Sequence, residues 1–97
     1  MRTIILSTQF KKDIKLARKR HLPLDEMNRI VFNLANDIPL TADKHDHQLY
    51  GDYVGYRECH IMPDWLLIYR KTDSNGVEIL NMYRSGTHSD LFGKTKR

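Results

Sequence analysis

Apolar residues recur along this chain at two spacings, and each spacing predicts a different kind of element. Thr3 to Leu6 is a short apolar run with β-branched members that reads as a strand, with Ser7 or Thr8 placed to cap a helix behind it. From Phe10 the period lengthens: Phe10, Ile14 and Ala17 share one helical face, and Lys11, Lys12, Lys15, Arg18 and Lys19 lie opposite. Pro23 interrupts, because a proline inside a helix removes a hydrogen bond and clashes with the preceding turn. A second helix begins near Asp25, buries Leu24, Met27, Ile30, Val31 and Leu34, and stops at Asn36-Asp37 ahead of Pro39. Two short helices so close together predict an αα-hairpin laid on a sheet.

The stretch from Thr41 to Gly51 is polar and without a period, and reads as a loop. Tyr53 to Ile61 predicts a strand, with Cys59 and Ile61 on one side and Glu58 and His60 on the other. Pro63 marks a tight connection, so the strand starting near Asp64 is expected to return antiparallel. Its Leu66 to Tyr69 run has the length and aromatic content of a buried central strand. Asp73 to Gly76 contains the Asn-Gly pair favoured where a hairpin turn needs positive φ at both central positions. Val77 to Arg84 is then the third meander strand, with Val77 and Ile79 on one face and Leu80 and Met82 on the other. The fold class is α+β: an N-terminal strand, a two-helix hairpin and an antiparallel meander joined by the first strand. No repeat, low-complexity segment or linker divides the 97 residues, so a single domain over 1–97 is expected.

Composition changes this picture in two ways. A formal charge of +4 favours an anionic partner such as RNA, DNA or an acidic protein, since a basic surface attracts polyanions without base-specific contacts. The basic face of the first helix is either part of that surface or simply a solvated face. Cys59 is the only cysteine, which excludes an internal disulfide and fits a reducing compartment. No leader pattern opens the chain and no apolar run approaches the roughly 20 residues of a membrane span, so a cytoplasmic protein without membrane attachment is expected.

Four of the five histidines, His45, His47, His60 and His88, fall in polar loops or at strand ends. Imidazoles exchange protons near neutral pH, so two at one site supply both an acid and a base. His45-x-His47 with His60 and Asp64 is also a possible zinc ligand set, though no cysteine pair or HExxH helix accompanies it. Cys59 alternates with Ile61 toward the core, where a thiol is inert. There is no Gly-rich phosphate loop, nucleotide-binding fingerprint or serine elbow, so nothing points to energy-coupled chemistry. Arg84, followed by Ser-Gly-Thr-His, carries a fork of donors suited to a phosphate, or alternatively to a neighbouring carboxylate.

The series His60-Ile61-x-Pro63-Asp64-Trp65-x-Leu67-Ile68-Tyr69, followed by Arg84-x-Gly86-Thr87-His88-x-x-Leu91-Phe92, resembles the YafQ branch of the RelE/ParE superfamily of bacterial toxins. The helix bearing Lys11, Asp13, Lys15, Leu16, Ala17, Lys19 and Arg20 and the loop Asp46-His47-x-Leu49 match it too, so the resemblance spans almost the whole chain. It implies a RelE-like microbial RNase fold and a ribosome-dependent mRNA endonuclease needing no metal or cofactor. It also implies a neutralising antitoxin, acidic and with a DNA-binding region, as partner beside the ribosome and mRNA. On this resemblance the catalytic residues are His47, His60, Asp64, Arg84 and His88, and Phe92 contacts substrate. Lys11, Lys12, Lys15, Arg18 and Lys19 are expected to bind rather than react. His88 is expected to be the general acid, carried by a mobile turn after Gly86, with His60 and Asp64 serving the attacking 2′-hydroxyl and His47 assisting. Two readings compete: a ParE-like inhibitor of a DNA topoisomerase that does no chemistry, and a metal-dependent nuclease built on the His-rich loop. The basic tail from Lys94 to Arg97 runs past the expected end of such chains, and His45 has no counterpart in the pattern.

Overall fold

The computed structural model describes residues 1–93. The order is β1 (Thr3–Leu6), α1 (Thr8–Lys19), α2 (Leu24–Ala35), β2 (His47–Gln48), β3 (Arg57–Met62), β4 (Trp65–Ser74), β5 (Val77–Gly86) and α3 (His88–Phe92). One five-stranded sheet runs β1-β5-β4-β3-β2, with β1 parallel to β5 and every other pair antiparallel. The α+β class, the two-helix hairpin and the meander expected from the sequence are all present. The tail from Lys94 to Arg97 lies outside the described residues.

β4 is the centre of the molecule. Trp65 to Tyr69 are buried one after another, which a strand permits only when both faces are covered. Trp65, Leu67 and Tyr69 join Cys59, Ile61, Leu80 and Met82 on the face that packs against Phe10 and Ala17 of α1 and Met27, Ile30 and Leu34 of α2. Leu66 and Ile68 point the other way and form a smaller core with Leu91 of α3, closed by Leu49, Tyr53, Tyr56 and Phe92. One face is therefore fully roofed by helices. The other is roofed only in part.

Ser7 turns the chain from β1 into α1. Its N–H continues the ladder to the Met82 carbonyl at 3.0 Å, its hydroxyl donates to the Tyr83 carbonyl at 2.7 Å, and its oxygen accepts the Phe10 N–H at 2.9 Å as the helix cap. β1 reaches only as far as Met82, so the last residues of β5 lack a neighbouring strand on that side. Asp13 supplies the missing acceptor. Its Oδ2 takes the Ser85 N–H at 2.9 Å and the Arg84 Nε at 3.0 Å, and its Oδ1 lies 3.3 Å from an Arg84 terminal nitrogen.

The structure corrects the sequence reading at several boundaries. The strand expected from Tyr53 begins at Arg57, because Gly51–Tyr53 forms a 3₁₀ turn, Tyr56 N–H returns to the Tyr53 carbonyl at 3.0 Å, and Gly55 takes φ +94°. The loop from Thr41 to Gly51 holds a 3₁₀ turn at Ala42–Lys44 and the two-residue strand β2, too short to show a period. β5 runs to Gly86 and is followed by α3, which five residues could not announce. The hairpin turn is as expected, with φ +51° at Asn75 and +80° at Gly76.

Removing Asp13 would strand a buried backbone N–H and leave the Arg84 guanidinium unpaired. Asp13→Ala is expected to lower unfolding stability by about 3 kcal/mol, measured by urea denaturation. A loss under about 1 kcal/mol would show that water replaces the carboxylate freely.

Candidate functional site

The strand register assembles the site on the partly roofed face. His60 stands opposite Leu66, and Leu66 opposite Gly86, while Glu58, Ile68 and Arg84 form the next cross-strand row. His47 of β2 faces Glu58. Two strand spacings, about 10 Å, thus separate His60 from the end of β5, where the chain turns into α3 and brings His88 back over the sheet. The His60 and His88 rings end 5.8 Å apart between centroids.

His88 is aimed by Asp64. The Asp64 Oδ1 accepts the His88 backbone N–H at 2.9 Å and lies 2.6 Å from the ring Nδ1. The backbone hydrogen bond, and then the ring, hold the Asp64 carboxyl below the usual carboxylate range, so it is ionised and Nδ1–H donates to it. That leaves Nε2 as the free nitrogen of a ring more than half exposed. The sequence reading pairs Asp64 with His60; the structure puts its carboxylate on His88 instead.

The turn that carries His88 is pinned rather than loose. Thr87 accepts the Asp90 N–H at 3.0 Å while Asp90 accepts the Thr87 N–H at 2.9 Å, a reciprocal cap. Asp90 also binds Arg20, the C-cap of α1, at 2.7 Å. Gly86 is required there, since a Cβ would meet the Asp90 Cβ at 2.8 Å.

His60 sits deeper, with 21% of its side chain exposed. Burial first, and then the neighbouring imidazoles of His45, His88 and His47, push its pKa below the ordinary imidazole value. The His45 ring lies 5.1 Å away between centroids, on a residue with φ +51°. An open groove of about 580 Å³ borders this pair, lined also by Asp43, Lys44, Met62 and Pro63.

His47 is held by a different carboxylate. Its Nδ1–H donates to the His45 carbonyl at 2.6 Å, and its Nε2 faces Glu58 Oε1 at 3.3 Å. Glu58 is 5% exposed, its Oε2 has no partner, and burial raises its pKa against the opposing pull of His47 and His88. Asp46 anchors this loop by accepting the Tyr69 hydroxyl at 2.6 Å and the Arg57 Nε at 3.1 Å.

The remaining sequence candidates divide. Arg84 lies on the same sheet face as His60, but its Nε and one terminal nitrogen are engaged by Asp13. Phe92 stands 6.5 Å from His88 and edge-on to Tyr53 at 5.7 Å. Lys11, Lys12, Lys15, Arg18 and Lys19 are exposed on α1, on the other layer of the molecule, and do not join the imidazoles. Cys59 is fully buried, and burial, then Asp46 and Glu58, push its thiol up to about 12, so it is no nucleophile. Among the described residues no group of three or more His, Cys, Asp or Glu side chains is disposed to hold a metal ion.

Sequence reasoning missed Glu58, Asp46 and Asp13 as functional supports. Asp13 had a signal: it falls in the Phe10 and Ala17 stripe, where a carboxylate needs a buried partner. Glu58 shares a strand face with His60, which pointed to the site without revealing its burial.

The family model for the bacterial toxin of type II toxin-antitoxin system, YafQ, matches residues 2–93. The chain is 44% identical over 93 residues to the mRNA interferase toxin YafQ of Escherichia coli K12, covering 95% of this chain and 97% of that protein. It superposes on the toxin of the E. coli DinJ-YafQ toxin-antitoxin complex with a TM-score of 0.84 at 44% identity, over 95% of this chain and 98% of that one. A metal-bound toxin from Helicobacter pylori gives a TM-score of 0.85 at 39% identity, over 95% and 100% of the two chains.

Raised in the fold, the Glu58 pKa makes a stability contribution that is present below its ordinary value and lost as pH rises through the folded one. Glu58→Gln is therefore expected to raise Tm at pH 8, with the gain vanishing toward pH 4. An equal effect at both values would mean that Glu58 does not titrate differently in the fold.

Proposed function

This chain belongs to the YafQ family of bacterial toxins of type II toxin-antitoxin systems, and we propose that it is an mRNA interferase, a ribosome-dependent endoribonuclease that needs no metal. The observation that carries the chemistry is the pair of converging imidazoles in opposite settings. His60 is half-sheltered and disposed to be neutral; His88 is exposed and backed by an ionised carboxylate.

In the proposed reaction the RNA 2′-hydroxyl attacks the adjacent phosphorus and His60 takes its proton. The O2′–P bond forms as the P–O5′ bond breaks, and protonated His88 delivers its Nε2 proton to the leaving oxygen. Asp64, bound to Nδ1, fixes the nitrogen that faces the phosphate. The products are a 2′,3′-cyclic phosphate and a 5′-hydroxyl. Arg84, positioned by Asp13, offers its remaining N–H groups to the charge that develops on phosphate. His47 and Glu58 form a second proton-holding pair beside His60. The exposed cations of α1 add affinity for the ribosome or RNA.

The partner proposed is an acidic antitoxin, with the cytoplasm as the compartment. No helix among the described residues is long and apolar enough to cross a membrane. No feature of the fold or of the relatives favours the non-enzymatic topoisomerase inhibitor.

Controlled expression followed by mapping of mRNA ends is expected to give cuts on translating ribosomes that disappear when translation is arrested. Uniform cutting in both states would overturn ribosome dependence, and no cutting would overturn the reading. The rate is expected to follow a bell-shaped pH profile. Its acid limb, set by a base that works only when unprotonated, should lie below the ordinary imidazole value of 6.5, because the folded pKa of His60 is lowered. His88→Ala is expected to cost on the order of 100-fold or more and to remove the alkaline limb. EDTA should leave the wild-type rate unchanged; loss of activity that zinc restores would replace this mechanism with a metal-assisted one.

A further inference from the structure

A line of rings leads away from the imidazoles across the partly roofed face. His88 lies 6.5 Å from Phe92, Phe92 5.7 Å from Tyr53, Tyr53 6.2 Å from Tyr83, and Tyr83 4.7 Å from Tyr56, all between centroids. Tyr53 has a structural task, donating its hydroxyl to the Leu91 carbonyl at 3.3 Å within the smaller core. Tyr83 has none of that kind. It is the extra residue where β5 bulges against Ile68 and Tyr69, and it is 37% exposed.

The far end of the line carries a cation. The Arg70 guanidinium sits 5.7 Å from the centroid of the Tyr56 ring, and Arg70 is exposed with no carboxylate partner among the described residues. Open grooves of about 280 and 210 Å³ flank Tyr56 and Arg70. The exposed Tyr83 ring, next to the partly buried Tyr56 ring and its cation, suits a single strand of nucleic acid. A base has a flat face to stack on a ring whatever its identity, and the phosphate next to it takes the cation. The line is also continuous with the imidazoles, so one strand of RNA can meet both.

We propose that Tyr83, Tyr56 and Arg70 form a stacking subsite for a nucleotide flanking the bond that His60 and His88 act on. The inference rests on the endoribonuclease reading and deepens it. Stacking there adds affinity with little choice of base, leaving sequence preference to other contacts.

The test uses a fully 2′-O-methylated single-stranded oligonucleotide, which cannot be cleaved, carrying 2-aminopurine at successive positions. Wild-type protein is expected to quench the fluorescence at one or two adjacent positions. Tyr83→Leu should weaken binding about tenfold and abolish the quenching, as expected for one lost base stack. Tyr83→Phe, which keeps the ring, should retain both, and Arg70→Gln should reduce the salt dependence by about one phosphate contact. Should Tyr83→Leu prove poorly folded, the quenching, the Phe variant and Arg70→Gln carry the test. The proposal is overturned by absence of quenching in the wild type, by a Tyr83→Phe defect as large as that of Tyr83→Leu, or by variants that lose affinity only for an acidic protein partner. The mRNA-end mapping fails separately: no cleavage with quenching intact sinks the enzymatic reading and leaves an RNA-binding face, whereas cleavage without quenching sinks the subsite alone.

Discussion

Burial of β4 on both faces is the constraint from which the rest of the molecule follows. Five consecutive side chains from Trp65 to Tyr69 must be kept from water on two sides, and each large apolar group so placed stabilises the fold by about 2 kcal/mol. α1 and α2 meet the demand on one side with a full helical roof. On the other side, among the described residues, Leu66 and Ile68 are covered by α3 and the segment around Leu49 to Tyr56. The gap is where His60 and His47 come to the surface, above the buried Glu58.

The candidate site is pinned from outside the sheet. The turn into α3 is held by the Thr87 and Asp90 cap and by Arg20 at the C-cap of α1, so helix packing on the core fixes where His88 stands. The loop carrying His45 and His47 is tied to the buried strand by Asp46 and the Tyr69 hydroxyl. Asp13 ties α1 to the last rungs of β5 and engages Arg84 at the same time. Three carboxylates on separate elements thus convert a packed core into fixed positions for groups that face solvent.

Much of the fold was legible because its signals are local. The Phe10, Ile14 and Ala17 spacing, Pro23, and Asn75-Gly76 each act within a turn or two of chain, and each marks the element it was read to mark. Elements that depend on tertiary partners were not legible. β2 exists only because His47 and Gln48 pair with β3, and α3 only because its cap and Leu91 find the sheet. The site shows the same division. Alternation along β3 put His60 and Glu58 on one face, and the register brings Arg84 onto it as well. The partnership of Asp64 with His88 could not be read, because it joins residues 24 apart across a turn whose shape the sequence does not encode locally.

Asp64 matters most for the chemistry proposed, since it binds the His88 Nδ1 and leaves the Nε2 of that ring free to face the phosphate. A direct test replaces the 5′-oxygen at the scissile bond with sulfur, a leaving group that departs without a proton. Cleavage of this substrate on ribosomes is expected to be restored in His88→Ala to near the wild-type rate while His60→Ala stays slow. Equal rescue of both variants, or of neither, would contradict the division of proton transfer between the two imidazoles.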